Sequence, residues 1–237
     1  MHSTGTREDV PELPQLTAGV TLVEVDEQAI APIQALVLDH LLLTEATPTA
    51  RWIDVFDHIQ TRSLSKLAPS RPILDRIQVA RAFTPFQHFA LVEDLAAEIA
   101  SGGETPLVVA PALDGLYREP DGNLSSQQAS TLLVRAVAKL AGIARRHDVP
   151  VVLTRTRDDE FSAPIARAAN SVIEVTDTRY GPRFASDEFE TLVYPVGNGM
   201  IQTTLAFWQR VLEARQPIHA IDSSGHEPTM EVAHGTN

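Results

Sequence analysis

Leu107-Val108-Val109-Ala110 is apolar at every position. A strand that reads this way must be covered on both faces, which places it inside a parallel sheet flanked by helices rather than in a sheet open to water. The rest of the chain fits that demand. Residues 21–25, 52–55, 77–80, 151–154 and 172–175 read as strands. Between them lie segments of helical period: Ile30, Ile33, Val37 and Leu41; residues 59–67; Phe89, Val92, Leu95, Ala96 and Ile99, stopping at Gly102-Gly103; and Leu132, Leu133, Ala136, Val137, Leu140 and Ile143. Residues 165–169 are expected to be partly helical. Residues 192–196 and 200–205 flank Gly197-Asn198-Gly199, a hairpin signal. The expected fold is α/β, a mostly parallel sheet with helices on both faces and a C-terminal antiparallel hairpin.

In an open sheet of this kind ligands bind beyond the carboxyl ends of the strands, so the residues after each strand are where chemistry would show. The first strand leads into Asp26-Glu27-Gln28-Ala29-Ile30-Ala31-Pro32-Ile33. A phosphate loop needs glycines for close backbone approach and a lysine for the phosphates. This turn has neither, and Asp26 reads as a helix cap. Pro111 comes directly after the buried strand, where a magnesium site would want a carboxylate. Asp114, further on, reads as a turn carboxylate. Asp158-Asp159-Glu160 reads as a solvated loop. His40, His58, His88, His147, His219, His226 and His234 show no zinc-site spacing, and no Gly-x-Ser-x-Gly elbow occurs. No catalytic residue, cofactor or metal is expected. Arg118, Arg155 and Arg157 fall at the rim, where they would either grip phosphate or pair with Glu119, Asp158 and Asp159.

Composition narrows the function further. The 237 residues are 43% apolar and 21% charged, enough for one domain with a real core. That domain is expected over residues 20–215, with flexible ends at 1–19 and 216–237. With no cysteine, disulfides, thiolate metal sites and cysteine nucleophiles are excluded. A net charge of −12 opposes binding to phosphate backbones except through a local basic cluster. No apolar run reaches the roughly 18 residues of a membrane span, and the first residues lack the apolar core of a signal peptide. A cytoplasmic protein without a membrane partner is expected.

Several segments resemble, in order, the archaeal RadA recombinases of the RecA superfamily of P-loop ATPases. Arg51-Trp52-Ile53-Asp54 is similar to an early strand of that family. Arg76-Ile77-Gln78-Val79-Ala80-Arg81-Ala82-Phe83, leading to His88-Phe89-Ala90-Leu91-Val92-Glu93, resembles the strand and helix before its second nucleotide motif. Leu107-Val108-Val109-Ala110-Pro111-Ala112-Leu113-Asp114-Gly115-Leu116-Tyr117-Arg118 resembles that motif and the residues beyond it. Asp121-Gly122-Asn123-Leu124-Ser125-Ser126-Gln127-Gln128 is similar to the family's approach to a helix with paired glutamines, and Val149-Pro150-Val151-Val152-Leu153-Thr154 to its next strand. The resemblance covers roughly residues 20 to 205. The acidic composition, with Lys66 and Lys139 as the only lysines, also resembles that of salt-loving archaeal proteins, for which charge is screened within about 3 Å at molar salt.

The resemblance implies a RecA-like domain with its nucleotide machinery missing. The phosphate loop would fall on residues 26–33, the catalytic glutamate on Phe56, the magnesium aspartate on Pro111 and the phosphate-sensing glutamine on Thr156. The second DNA-binding loop would fall between Thr154 and Val172, where Ala163 and Pro164 replace expected glycines. The implied protein is a pseudo-ATPase that binds a protein partner, a recombinase, a repair subunit or itself, in DNA recombination or repair. The alternatives are a weak nucleic-acid-binding module using Arg118, Arg155 and Arg157, and an enzyme with an unrelated site.

Overall fold

The computed structural model describes residues 13–25, 30–43, 49–59, 61–102, 107–118, 124–178, 181–187, 190 and 212. The elements run β1 (Gly19–Glu24), α1 (Ala31–Leu43), β2 (Ala50–Asp54), α2 (Thr61–Leu67), β3 (Ile77–Arg81), α3 (Pro85–Ala100), β4 (Leu107–Ala110), α4 (Gly115–Arg118), α5 (Ser126–His147), β5 (Pro150–Leu153), α6 (Ala163–Ala168), β6 (Ser171–Thr178) and β7 (Gly181–Ala185). The fold is α/β. Its seven-stranded sheet has the order β3-β2-β4-β5-β1-β6-β7. All pairings are parallel except β6 with β7. The antiparallel pair therefore lies upstream of the expected hairpin, whose residues 192–205 fall outside the described residues.

Two apolar layers explain why β4 is apolar throughout. Leu107 and Val109 join Val23, Trp52 and Val152 against α1 and Leu64 and Leu67 of α2. Val108 and Ala110 join Leu22, Ile53, Val151 and Leu153 against α3, α5 and Ile165 of α6. Alternate residues of one strand thus feed opposite cores. The crossovers account for the helix sides. Connections from β1 to β2 and from β2 to β3 run toward one edge of the sheet. Those from β3 to β4, β4 to β5 and β5 to β6 run toward the other, and right-handed crossovers put the two groups of helices on opposite faces.

Helix α1 is buried almost all round, Gln34 and Asp39 included. Leu13 and Leu16, inside the segment expected to be flexible, belong to the same core cluster, as does Leu212. Helix α3 begins at Thr84, whose hydroxyl accepts from the Gln87 N–H, with Pro85 in the first turn. It ends before Gly102, which sits at φ +87°, a conformation glycine adopts without strain. Helix α5 opens on a reciprocal capping box between Ser125 and Gln128. It closes with Arg145, Arg146 and His147 at the negative end of its dipole.

Helices α3 and α4 are tied by a buried pair. His88 Nδ1 lies 2.7 Å from the Tyr117 hydroxyl, and the rings meet edge to face. His88 Nε2 is buried without a hydrogen-bond partner among the described residues. Burial pushes His88 down to about 4 and raises Tyr117 well above its ordinary value. The folded state therefore binds His88's proton more weakly than the unfolded state, so stability is full above pH 6.5 and falls as pH drops from 6.5 toward 4. Between those limits this one group is expected to cost on the order of 3 kcal/mol. Urea melts across this range should show that loss, and His88→Gln, which keeps a hydrogen-bonding group but cannot titrate, should flatten it.

Candidate functional site

The carboxyl edge of the sheet holds two places where neighbouring strands send their chains to opposite faces, one between β1 and β5 and one between β2 and β4. Such divergence opens a crevice, the usual ligand position in open α/β sheets. Among the described residues each crevice carries side chains that engage one another.

At the first, register places Leu22 of β1 beside Leu153 of β5, so Glu24 and Arg155 stand level just beyond. The Arg155 guanidinium donates to both carboxylate oxygens of Glu24, through Nη2 to Oε1 and through Nε to Oε2 at 3.2 Å. Its Nη1 pairs with Asp158 at 2.5 Å. The Arg155 side chain is only 8% exposed, while its partners Glu24 and Asp158 reach solvent, so the pair is part-buried. The turn at residues 26–29, part of the stretch on which a phosphate loop would fall, lies outside the described residues.

Between β4 and β5 the organiser is Asp114. It is fully buried. Its Oδ1 accepts from the Thr156 N–H at 2.7 Å, and its Oδ2 accepts from the Thr156 hydroxyl at 2.9 Å and from Arg118 Nε at 2.6 Å. Arg118 also forks onto Asp159, at 2.7 and 2.9 Å, and lies over the Phe161 ring. The hydrogen bonds from Arg118, with help from the Ser162 N–H, hold the Asp159 carboxyl well below the usual carboxylate range. The backbone is clamped as well: Thr154 Oγ1 accepts from the Ala112 N–H at 2.7 Å, and the Leu113 N–H donates to the Thr154 carbonyl at 3.0 Å.

At the second crevice Asp54, also fully buried, accepts from the Ile59 N–H at 3.0 Å and from Arg81 Nε at 2.8 Å. Arg81 reaches Asp57 at 2.6 Å. Phe56 and Asp57 both adopt positive φ, +56° and +58°. The Phe56 ring leans on Gly115, so closely that a Cβ there would lie 2.3 Å from Phe56 Cε2.

Of the three rim arginines, two are therefore held by carboxylates, Arg118 by Asp114 and Asp159 and Arg155 by Glu24 and Asp158. Arg157 is exposed, and its carbonyl accepts from the Ser162 hydroxyl at 2.5 Å. Asp158 and Asp159 thus pair with rim arginines, while Glu119 lies outside the described residues. The sequence did not reveal Glu24 and Asp54 as partners. Asp114 is no ordinary turn carboxylate but a buried hub. The signal for Glu24 and Arg155 is their equal offset beyond two strands, readable only once β1 and β5 are known to be neighbours. Among the described residues no group of three or more histidine, aspartate or glutamate side chains is placed to hold a metal ion, and no helix is long and apolar enough to cross a membrane.

Two consequences are measurable. Asp114→Ala strands Thr156 and half of Arg118 and should cost about 3 kcal/mol in a denaturant melt, the range for breaking a buried pair. Gly115→Ala should destabilise by about 1 kcal/mol in the native chain yet be neutral or stabilising in a Phe56→Ala background, where the clash is gone and alanine is the better helix former.

No family model matches the chain. An alignment of 160 positions that covers 63% of the chain is 26% identical to a proteasome-associated ATPase of Pseudarthrobacter chlorophenolicus. That alignment covers 27% of the relative, so the chain spans about a quarter of the curated protein it matches.

Proposed function

We propose that the chain is a non-catalytic RecA/RadA-like domain, a pseudo-ATPase that serves as a partner-binding or regulatory protein in DNA recombination or repair. The observation that carries this reading is the Glu24–Arg155 pair seated in the β1–β5 crevice, where an oxyanion would have to sit. Phosphoryl transfer depends on positioned cations and a metal carboxylate that neutralise charge on the transferred group. Here the positions that the RadA resemblance assigns to that work do something else. Thr156 donates both its N–H and its hydroxyl to Asp114. Phe56 packs against Gly115. Pro111 is buried and offers no carboxylate. The similarity to a protein named an ATPase agrees with descent from a nucleotide-hydrolysing ancestor. The assignment to recombination or repair rests on the RadA resemblance.

Exposed apolar side chains support the partner-binding half of the proposal. Among the described residues β3 pairs only with β2, leaving Gln78 and Val79 exposed along an outer strand. Beyond the carboxyl ends of the paired strands β2 and β3, Phe56, Phe83 and Phe86 are each more than half exposed, and exposed apolar side chains of this size occur at interaction sites. The nucleic-acid alternative is left with Arg157 as the one of the three arginines without an ion pair among the described residues.

Isothermal titration with ATP and magnesium, in concentrated salt and again in dilute salt, is expected to give no binding heat, and a phosphate-release assay no turnover. Binding in the micromolar range would overturn the reading.

A further inference from the structure

The Glu24–Arg155 contact has the geometry of a ligand complex. Arg155 presents Nε and Nη2 to two oxygens of one carboxylate, the fork arrangement by which guanidinium groups also take phosphate. The Arg155 side chain is 8% exposed, whereas that of Glu24 is 30% exposed and that of Asp158 80% exposed. The cation is thus built into the crevice, and its anions approach from the more open side. Arg157, two residues on, is exposed and makes no ion pair among the described residues. At the mouth of the crevice Glu24 and Asp158 offset Arg155 and Arg157. Glu174 of β6, in register with Glu24 and exposed, adds a further negative charge beside it.

We propose that Glu24 is the resident anion of a latent oxyanion site. Its carboxylate holds Arg155 at the β1–β5 crevice, and a small polyanion of the phosphate class takes that place when Glu24 is neutralised or displaced. This rests on the reading that the native crevice is closed to nucleotide, and it adds that Glu24 is the side chain whose loss frees the Arg155 fork for an outside anion. Removing the Glu24 charge leaves Arg155 and Arg157 against Asp158 and Glu174, so the excess negative charge is lost, and removing Glu174 as well turns the local balance positive. The buried, pre-oriented fork then needs little reordering to accept an oxyanion.

The test is calorimetric titration of inorganic pyrophosphate into the full chain, in the most dilute salt in which each variant stays folded by circular dichroism. Native protein should bind too weakly to measure. Glu24→Gln should bind about tenfold or more tightly than native, and the double variant Glu24→Gln, Glu174→Gln, in which the neighbouring carboxylate cannot take over Arg155, at least as tightly. Adding Arg155→Gln should abolish the gain. Glu98→Gln, which changes net charge equally far from the crevice, should bind no better than native. The proposal is overturned if both folded Glu24 variants stay silent, if the gain survives Arg155→Gln, or if Glu98→Gln reproduces it. Should Glu24→Gln not fold, Glu24→Ser carries the same comparison. The reading of a closed native crevice fails separately, if native protein itself binds ATP or pyrophosphate.

Discussion

A carboxylate with no exposed surface, Asp114, ties together the loops that leave β4 and β5. Taking such a charge out of water costs several kcal/mol, and the cost is offset only where every oxygen finds a donor. Asp114 meets that condition with the Thr156 N–H, the Thr156 hydroxyl and Arg118. Because Arg118 ends α4, satisfying Asp114 fixes where α4 lies. Because α4 also carries Tyr117, it fixes the buried contact to His88 on α3. Through Asp159 the same guanidinium sets the turn that leads into α6. One buried charge therefore coordinates three helices and two strand ends, and the rim behaves as one unit.

That arrangement decides what the rim can bind. A guanidinium forked onto a carboxylate presents little charge outward, and an incoming phosphate would have to displace an intramolecular partner held at high effective concentration. Arg118 and Arg155 are both in this condition. Among the described residues an ion pair lies at one of the crevices that the topology opens and a ring set against a glycine at the other.

The fold was legible where burial is complete or periodic. Four apolar residues in a row announced β4, and the stripes of α3 and α5 announced helices whose other faces meet water. The strand β7, Gly-Pro-Arg-Phe-Ala, was not legible: glycine and proline at its start remove the β signal, and it is held by pairing with β6 rather than by its own preference. Four-residue α4 is too short to show a period. At the site, Arg118 and Arg155 could be placed at strand ends by counting. Their partners could not, because Glu24 meets Arg155 only after β5 inserts between β4 and β1, a choice made by the packing of the whole sheet. Asp114 was visible as a residue but not as a buried one, since nothing local shows that the chain folds over it.

The turn after β2 shows how firmly the second crevice is held. Phe56 and Asp57 are consecutive non-glycine residues at positive φ, where a side chain costs roughly 1 kcal/mol or more at each position. Glycine at either position would relieve that strain, but it would also remove a contact. Without its ring, Phe56 could not cover Gly115, and without its carboxylate, Asp57 could not share Arg81 with buried Asp54. The geometry is over-determined from three sides: the Asp54 side chain accepting the Ile59 N–H, the Ala82 N–H donating to the Asp54 carbonyl, and the Gly115 backbone leaving room for a ring and nothing more. Two strained residues are thus kept in place by the contacts that their own side chains make.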